Sequence, residues 1–203
     1  MKVLTVCDDI GKAKELERSL VHFDYEFDII KREWKGWSTK LYGVYDFLKN
    51  NNHITEFIFV DAYDTFFLSS EFKPIYKNLV SSEVNCWTGF HNKELENKFP
   101  ETKTPFRYPN SGAYYMQSDF FIKIFEADTP NESDDDQEWL LKQVLLYHIP
   151  IDTECKWFQS LCGVSDSDFE IKDNRLTSNI TRTTPIIIHG NGKAKMDFYY
   201  NLI

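Results

Sequence analysis

The stretch Ile54-Thr-Glu-Phe-Ile-Phe-Val-Asp-Ala-Tyr-Asp-Thr-Phe-Phe67 decides how this chain is read. Ile54 to Val60 is short, mostly apolar, β-branched and aromatic, which is the pattern of a strand covered on both faces. It stops abruptly at Asp61 and Asp64. Open α/β sheets bind their ligands beyond the carboxyl ends of the strands. Two carboxylates three residues apart in a turn can address one hard cation, which prefers oxygen ligands. Taken alone, the same pair also suits a strand cap followed by a turn, since Asp favours both places.

The neighbouring sequence supplies the context. Lys2 to Cys7 has strand character, and Gly11 to Phe23 carries helical spacing through Ala13, Leu16 and Leu20. Glu26 to Lys31 reads as a second strand. Ser38 to Lys49 places Leu41, Val44, Tyr45 and Leu48 on one helical stripe. This strand–helix alternation predicts an α/β fold with a Rossmann-like, mostly parallel central sheet flanked by helices. Downstream, the pattern predicts a helix over Phe72 to Ser81 and a strand over Asn85 to Phe90. An aperiodic, proline-containing loop follows from His91 to Tyr108. Then come a strand at Ser111 to Met116, a helix at Ser118 to Glu126, an acidic loop to Asp136 and a helix at Gln137 to Tyr147. Short strands at Pro150 to Thr153, Phe169 to Lys172 and Pro185 to Ile188 complete the expected core. With no repeat and no low-complexity linker, residues 1–203 are expected to form a single domain.

Composition narrows the function classes. A hydrophobic content of 42% is that of a folded globular chain. A net charge of −9 argues against a general nucleic-acid or anionic-membrane surface. An anionic substrate would therefore need local positive charge, from a metal ion and a few lysines. No run approaches the roughly 18 apolar residues of a membrane span. The apolar stretch after Met1 is too short for a signal peptide, so the expectation is a soluble, intracellular protein. Cys7, Cys86, Cys155 and Cys162 form no C-x-x-C pair, so neither a zinc site nor a disulfide framework is expected.

Four further stretches carry chemistry. Two of only eight glycines lie in Ile188-His-Gly-Asn-Gly192, after an apolar run. There, His189 offers a third ligand beside Asp61 and Asp64. Gly190 and Gly192 allow backbone N–H groups to face an anion, and Lys193 and Lys195 could meet phosphates. An exposed turn would look similar. Asn110-Ser-Gly112 offers donors and acceptors suited to sugar hydroxyls at a close backbone approach. Ser133-Asp-Asp-Asp-Gln137 holds more acid than a helix start requires. Lys40 sits in the first turn of a predicted helix, where the dipole disfavours a cation unless an anion is near.

Read in order, these motifs resemble the amino-terminal glycosyltransferase domain of procollagen lysyl hydroxylases and related collagen hydroxylysine glycosyltransferases. The resemblance runs through Gly36 to Leu41, Phe59 to Phe67, Asn110 to Gly112, Asp134 to Gln137, Asp152 to Gln159, and His189 to Gly192 with Lys195 and the Tyr199–Ile203 tail. It implies a GT-A fold that binds a UDP-sugar and Mn²⁺. The metal ligands would then be Asp61, Asp64 and His189, and the diphosphate would meet Lys195. The uridine would lie at the end of the first strand, near Thr5 and Val6, with Lys40 and Tyr63 close by. Asp135 and Asp136, together with Asn110, would stand beside the transferred sugar. The loop from His91 to Tyr108 departs from the family pattern, and Trp87 lies near but not in register with the family's acceptor-side tryptophan.

The expected function is metal-dependent transfer of galactose or glucose from UDP-galactose or UDP-glucose to a hydroxyl acceptor on protein or glycan, including hydroxylysine of a collagen-like chain. A nucleotide-sugar hydrolase or nucleotidyltransferase is the enzymatic alternative, although Val6-Cys-Asp-Asp-Ile-Gly11 is a poor glycine-rich loop. A non-catalytic UDP-sugar-binding module is the other. The presence of Asp61, Asp64, Asp136 and His189 together argues against a decayed site.

Overall fold

A computed structural model describes residues 1–90, 92–172 and 175–203. The amino-terminal half alternates β1 (Lys2–Cys7), α1 (Lys14–His22), β2 (Phe27–Lys31), α2 (Thr39–Asn50) and β3 (Glu56–Val60). A short β4 (Thr65–Phe67), β5 (Leu79–Glu83) and the single turn α3 (Lys93–Glu96) lead into the ten-residue β6 (Tyr108–Gln117). Then come α4 (Ser118–Ala127), α5 (Asp136–Tyr147), β7 (Phe158–Ser160), β8 (Phe169–Lys172), β9 (Arg175–Ser178), β10 (Ile187–His189) and α6 (Asp197–Tyr200).

The main sheet has the order β2-β1-β3-β6-β5. β1 pairs in parallel with β2 and β3, while β6 runs antiparallel to both β3 and β5. Only β6 is therefore reversed, and the sheet is mostly parallel in strand direction. A smaller sheet, β4-β10-β7, aligns Ile188 with Phe66 and His189 with Thr65. β8 and β9 form a separate antiparallel pair.

Alternation along the strands divides the core. Leu4, Val6, Phe57, Phe59, Tyr114 and Met116 pack under α2, α4 and α5. Val3, Ile58, Val60, Ala113 and Tyr115 face α1 and the small sheet, meeting Leu16, Leu20, Phe67, Phe158 and Ile187. Both faces of β3 are covered, which is why its sequence lacks a polar side. The two sheets meet at the carboxyl end of β3, and that junction is where the candidate site forms.

Several local expectations are corrected. No helix forms over Phe72 to Ser81. Phe72, Ile75, Tyr76 and Leu79 imitate a helical stripe, but Pro74 opposes a helix there, and Ile75 and Tyr76 are exposed. Leu79–Glu83 instead becomes the sheet edge β5, while Asn85 to Phe90, expected as a strand, is a turn ending in a short 3₁₀ segment. Pro150 to Thr153 contributes only a single bridge, from Ile151 to Val80. Asp152 interrupts it, its carboxylate accepting from the backbone N–H groups of Lys156, Trp157 and Phe158. The segment expected as a loop from His91 to Tyr108 contains α3, capped by Asn92 on the Leu95 N–H; His91 itself lies outside the described residues.

Candidate metal centre

Asp61 is the first residue beyond β3, and its N–H is fixed by the Gly112 carbonyl at 2.8 Å. Asp64 precedes β4, and its carbonyl accepts from the Gly190 N–H at 2.6 Å. His189 ends β10. One ligand atom from each of Asp61, Asp64 and His189 lies within 4.8 Å of the other two. His189 Nε2 is 3.5 Å from Asp61 Oδ2 and 3.5 Å from Asp64 Oδ1. Three donors drawn from two different sheets converge on one point.

Gly112 makes that convergence possible. A Cβ at position 112 would stand 2.0 Å from His189 Cε1 and 2.7 Å from Asp61 Oδ2. The glycine's value here is absent volume rather than backbone freedom. Gly192 differs, since its φ of 65° lies in the left-handed region and a side chain there would also strike Cys162.

The imidazole is oriented from behind. His189 Nδ1 lies 3.0 Å from Asn110 Oδ1, which also accepts from the Gly112 N–H at 2.9 Å. Because a backbone N–H can only donate, the Asn110 oxygen must face this way, and His189 Nδ1 must carry hydrogen. Nε2 is then left for the carboxylates and any cation between them. Burial opposes charge on His189, but Asp64 and Asp61 outweigh it and push its pKa up to about 10. Two carboxylates and one imidazole suit a divalent ion, and the residues fit the Mn²⁺ that the family resemblance implies.

Lys40 lies beneath this cluster, 2.8 Å from Asp61 Oδ1 and 2.9 Å from Asp136 Oδ2. Burial works against its charge, yet Asp136 and Asp61 hold its pKa above the ordinary lysine value. Asp61 is held well below the usual carboxylate range, because Lys40 and His189 overcome the effect of burial. Burial instead raises Asp136, against the pull of Lys40. The ammonium also sits 5.9 Å over the ring of Phe59, which stacks on Tyr114.

The other expected residues are placed unevenly. Thr5 and Val6 are buried within β1, Val6 among the side chains under α2, so the accessible positions at that strand end are Asp8 and Asp9. Tyr63 reaches them: its hydroxyl donates to Asp8 and accepts from the Asp9 N–H at 3.0 Å. Asp135 caps α5, one oxygen accepting from the N–H groups of Gln137 and Glu138. Asn110, expected beside a sugar, has its amide engaged with His189, Gly112 and Gln137. Gly190, expected to offer its N–H to an anion, gives it to Asp64 instead. Lys193 and Lys195 are exposed and form no ion pair with any described residue.

Sequence reasoning missed Glu83, Gln137 and Asn191 as parts of the site. Glu83 ends β5, and its carboxylate accepts from the side-chain amides of Gln137 and of Asn191, the latter at 2.7 Å. A lone acid closing Leu79–Glu83 was the available signal, hidden by reading the preceding residues as helix.

The fold places the chain among glycosyltransferases in architecture. It aligns over its whole length with 98% of a glycosyltransferase involved in glycosylation of the major capsid of PBCV-1, at TM-score 0.56 and 9% identity. It also aligns over its whole length with 48% of the bifunctional glycosyltransferase WbbM, at TM-score 0.60 and 11% identity. Such low identities speak to fold alone. At the level of sequence, residues 1–202 match the family model of the PLOD GT domain, and the chain belongs to that family. It is 26% identical to procollagen-lysine,2-oxoglutarate 5-dioxygenase 1 of Gallus gallus, over 92% of this chain and 29% of that protein. An uncharacterized protein, R699, of Acanthamoeba polyphaga mimivirus is 30% identical over 60% of this chain and 26% of that protein. The chain thus spans under a third of these relatives' length. No helix among the described residues is long and apolar enough to cross a membrane.

Proposed function

We propose that this domain transfers a hexosyl group from a UDP-sugar, UDP-galactose or UDP-glucose, to a hydroxyl acceptor, with Mn²⁺ held by Asp61, Asp64 and His189. The convergence of these three side chains at the carboxyl end of β3, in a chain of the PLOD GT domain family, carries the reading. When bound, the cation supplies Lewis-acid stabilisation of the departing diphosphate. Lys193 and Lys195, exposed and without an ion pair among the described residues, add charge-assisted hydrogen bonds to the same phosphates. A protein of net charge −9 needs such local cations to hold a nucleotide.

The exposed end of β1 receives the uridine, with the Asp8–Asp9 turn braced by Tyr63. Lys40 offsets part of the charge of Asp61 and Asp136 and so reduces their repulsion of the donor. In transfer, the bond from the anomeric carbon to the phosphate oxygen breaks and one to the acceptor oxygen forms. Where the anomeric centre inverts, the acceptor's proton passes to a carboxylate at the start of α5, Asp136 being tied through Lys40 to Asp61 while Asp135 caps the helix. The similarity to procollagen-lysine dioxygenases makes hydroxylysine peptides the first acceptors to screen.

The test is calorimetric titration of UDP with Mn²⁺ and then with EDTA, followed by a UDP-release assay over UDP-sugars. Binding should require the metal and be lost in Asp64→Ala and His189→Ala while circular dichroism is unchanged. Metal-dependent binding retained by both variants would sink the assignment.

A further inference from the structure

Behind the metal centre, five buried polar side chains form one connected set. One arm starts at two backbone donors, the N–H groups of Leu161 and Cys162, which give hydrogen bonds of 3.0 and 2.9 Å to Asn191 Oδ1. Asn191 Nδ2 then donates to Glu83 Oε2 at 2.7 Å. The other arm starts at the Gly112 N–H and His189 Nδ1–H, which both donate to Asn110 Oδ1. Asn110 Nδ2 donates to Gln137 Oε1 at 3.3 Å, and Gln137 Nε2 donates to Glu83 Oε1. His189, Asn110, Gln137, Asn191 and Glu83 are each no more than 7% exposed.

The polarity of this set is determined. Each arm begins at a group that can only donate, and each amide passes that direction along by accepting on oxygen and donating from nitrogen. Both arms must therefore end on a group that accepts twice and donates nothing. An ionised carboxylate is the side chain that does so, and Glu83 is where the arms meet. Burial pushes its carboxyl up to about 7, against the pull of Gln137, Asn110 and Asn191, which shows what holding the charge there costs. A buried acid with no direct contact to the metal ligands needs a reason, and this polarity supplies one.

We propose that Glu83 is a positioning residue for the metal centre: as the shared terminal acceptor of the two arms, it fixes the amide of Asn110 and through it the His189 tautomer that turns Nε2 toward Asp61 and Asp64. It also ties the Gly190–Gly192 loop to the start of α5, the two segments that flank the centre. This rests on the reading of Asp61, Asp64 and His189 as metal ligands.

The consequence of Glu83→Gln can be followed atom by atom. The new amide offers one oxygen and one nitrogen to two donors. If its nitrogen meets Gln137, that amide must turn over, and Asn110 after it, leaving Asn110 Nδ2 against the Gly112 N–H and His189 Nδ1–H. If no amide turns, two donors face each other at position 83. A Gln137→Glu change in the same chain removes the conflict. The amide at position 83 then accepts from Asn191 and donates to the carboxylate at position 137, which also accepts from Asn110.

The experiment compares wild type, Glu83→Gln and the double variant Glu83→Gln/Gln137→Glu, using Mn²⁺ alone as the probe. Free Mn²⁺ is counted by electron paramagnetic resonance, and amide exchange is read by NMR. Glu83→Gln should weaken Mn²⁺ binding about tenfold or more, and the double variant should recover most of it. Exchange at the Cys162 and Gly112 amides should quicken in the single variant and slow again in the double, with the β1 and β3 amides as controls. A merely structural loss would not be rescued by exchanging acid and amide between two positions. Mn²⁺ affinity and exchange unchanged in Glu83→Gln would overturn the proposal, as would a double variant that folds or binds no better than the single. If the wild type ignores Mn²⁺ while the amides still respond to the exchange, the metal reading fails and the polarity argument stands.

Discussion

Around His189, the buried side chains of Asn110, Gln137, Glu83 and Asn191 are joined by hydrogen bonds into a closed arrangement; at the rim, Lys193, Lys195 and Asp8 stand exposed. The interior half is preorganised, and an error anywhere in it propagates because a buried polar group without a partner costs about 1–3 kcal/mol. The rim half is exposed charge, where a lost contact stays local. On the proposed function, preorganisation of the metal-facing atoms and adaptability of the phosphate-facing ones would be divided between two regions with opposite sensitivities.

That contrast can be broken most severely at Gly112. Gly112→Ala places a Cβ where His189 Cε1 now lies 2.0 Å away, so the imidazole must leave its place. Mn²⁺ affinity should fall about a hundredfold, the upper end of what disturbed ligand positioning costs, as read by paramagnetic resonance. Binding within a few-fold of wild type would mean that the interior is not rigid.

Lys40→Met tests the interior through charge. Removing the ammonium leaves the buried Asp136 and the partly buried Asp61 without their shared partner, and urea unfolding should show a loss of about 3–5 kcal/mol. A loss no greater than that of a surface lysine would contradict the buried pairing.

Glu83 sharpens the comparison through pH. Its folded pKa of about 7 exceeds the ordinary 4.5, so its contribution to stability is complete below pH 4.5 and is lost as pH rises through 7. The charged neighbour bearing on it is His189, which favours the ionised form. Wild type should therefore lose on the order of 3 kcal/mol relative to Glu83→Gln across that window, in the metal-free protein. Parallel stability curves for the two would show that Glu83 does not titrate as a buried acid.

The smallest effect belongs to the rim. Lys195→Ala should weaken UDP binding about tenfold, the size of one charge-assisted hydrogen bond, and leave the melting temperature unchanged. A drop in melting temperature would place Lys195 in the interior class after all.

The mostly parallel sheet was legible because β1, β3 and α2 carry their periodicities openly. Asp61 and His189 were legible because each follows directly on an apolar run, where a polar residue marks a strand end, and Asp64 because it stands three residues after Asp61. The edge strand β5 was not, since Phe72, Ile75, Tyr76 and Leu79 repeat at helical spacing and only Pro74 objected. The partners of Asn110 and Gly190 were not legible for a related reason: a sequence shows which donors and acceptors a residue owns, but not which way they face. Glu83 and Asn191 are 108 positions apart, beyond any local pattern.

Sequence alone determined the residue types at the strand ends and the family to which the chain belongs, because strand burial and ligand chemistry are both written in short local patterns. Only the tertiary structure decided the depth of the site: that Lys40 serves two aspartates, that Gly112 yields its volume to His189, and that two arms of hydrogen bonds end on Glu83. Those depend on atoms from both sheets meeting at one junction, and a buried group's partners, charge and direction are set by that meeting and by nothing nearer in the chain.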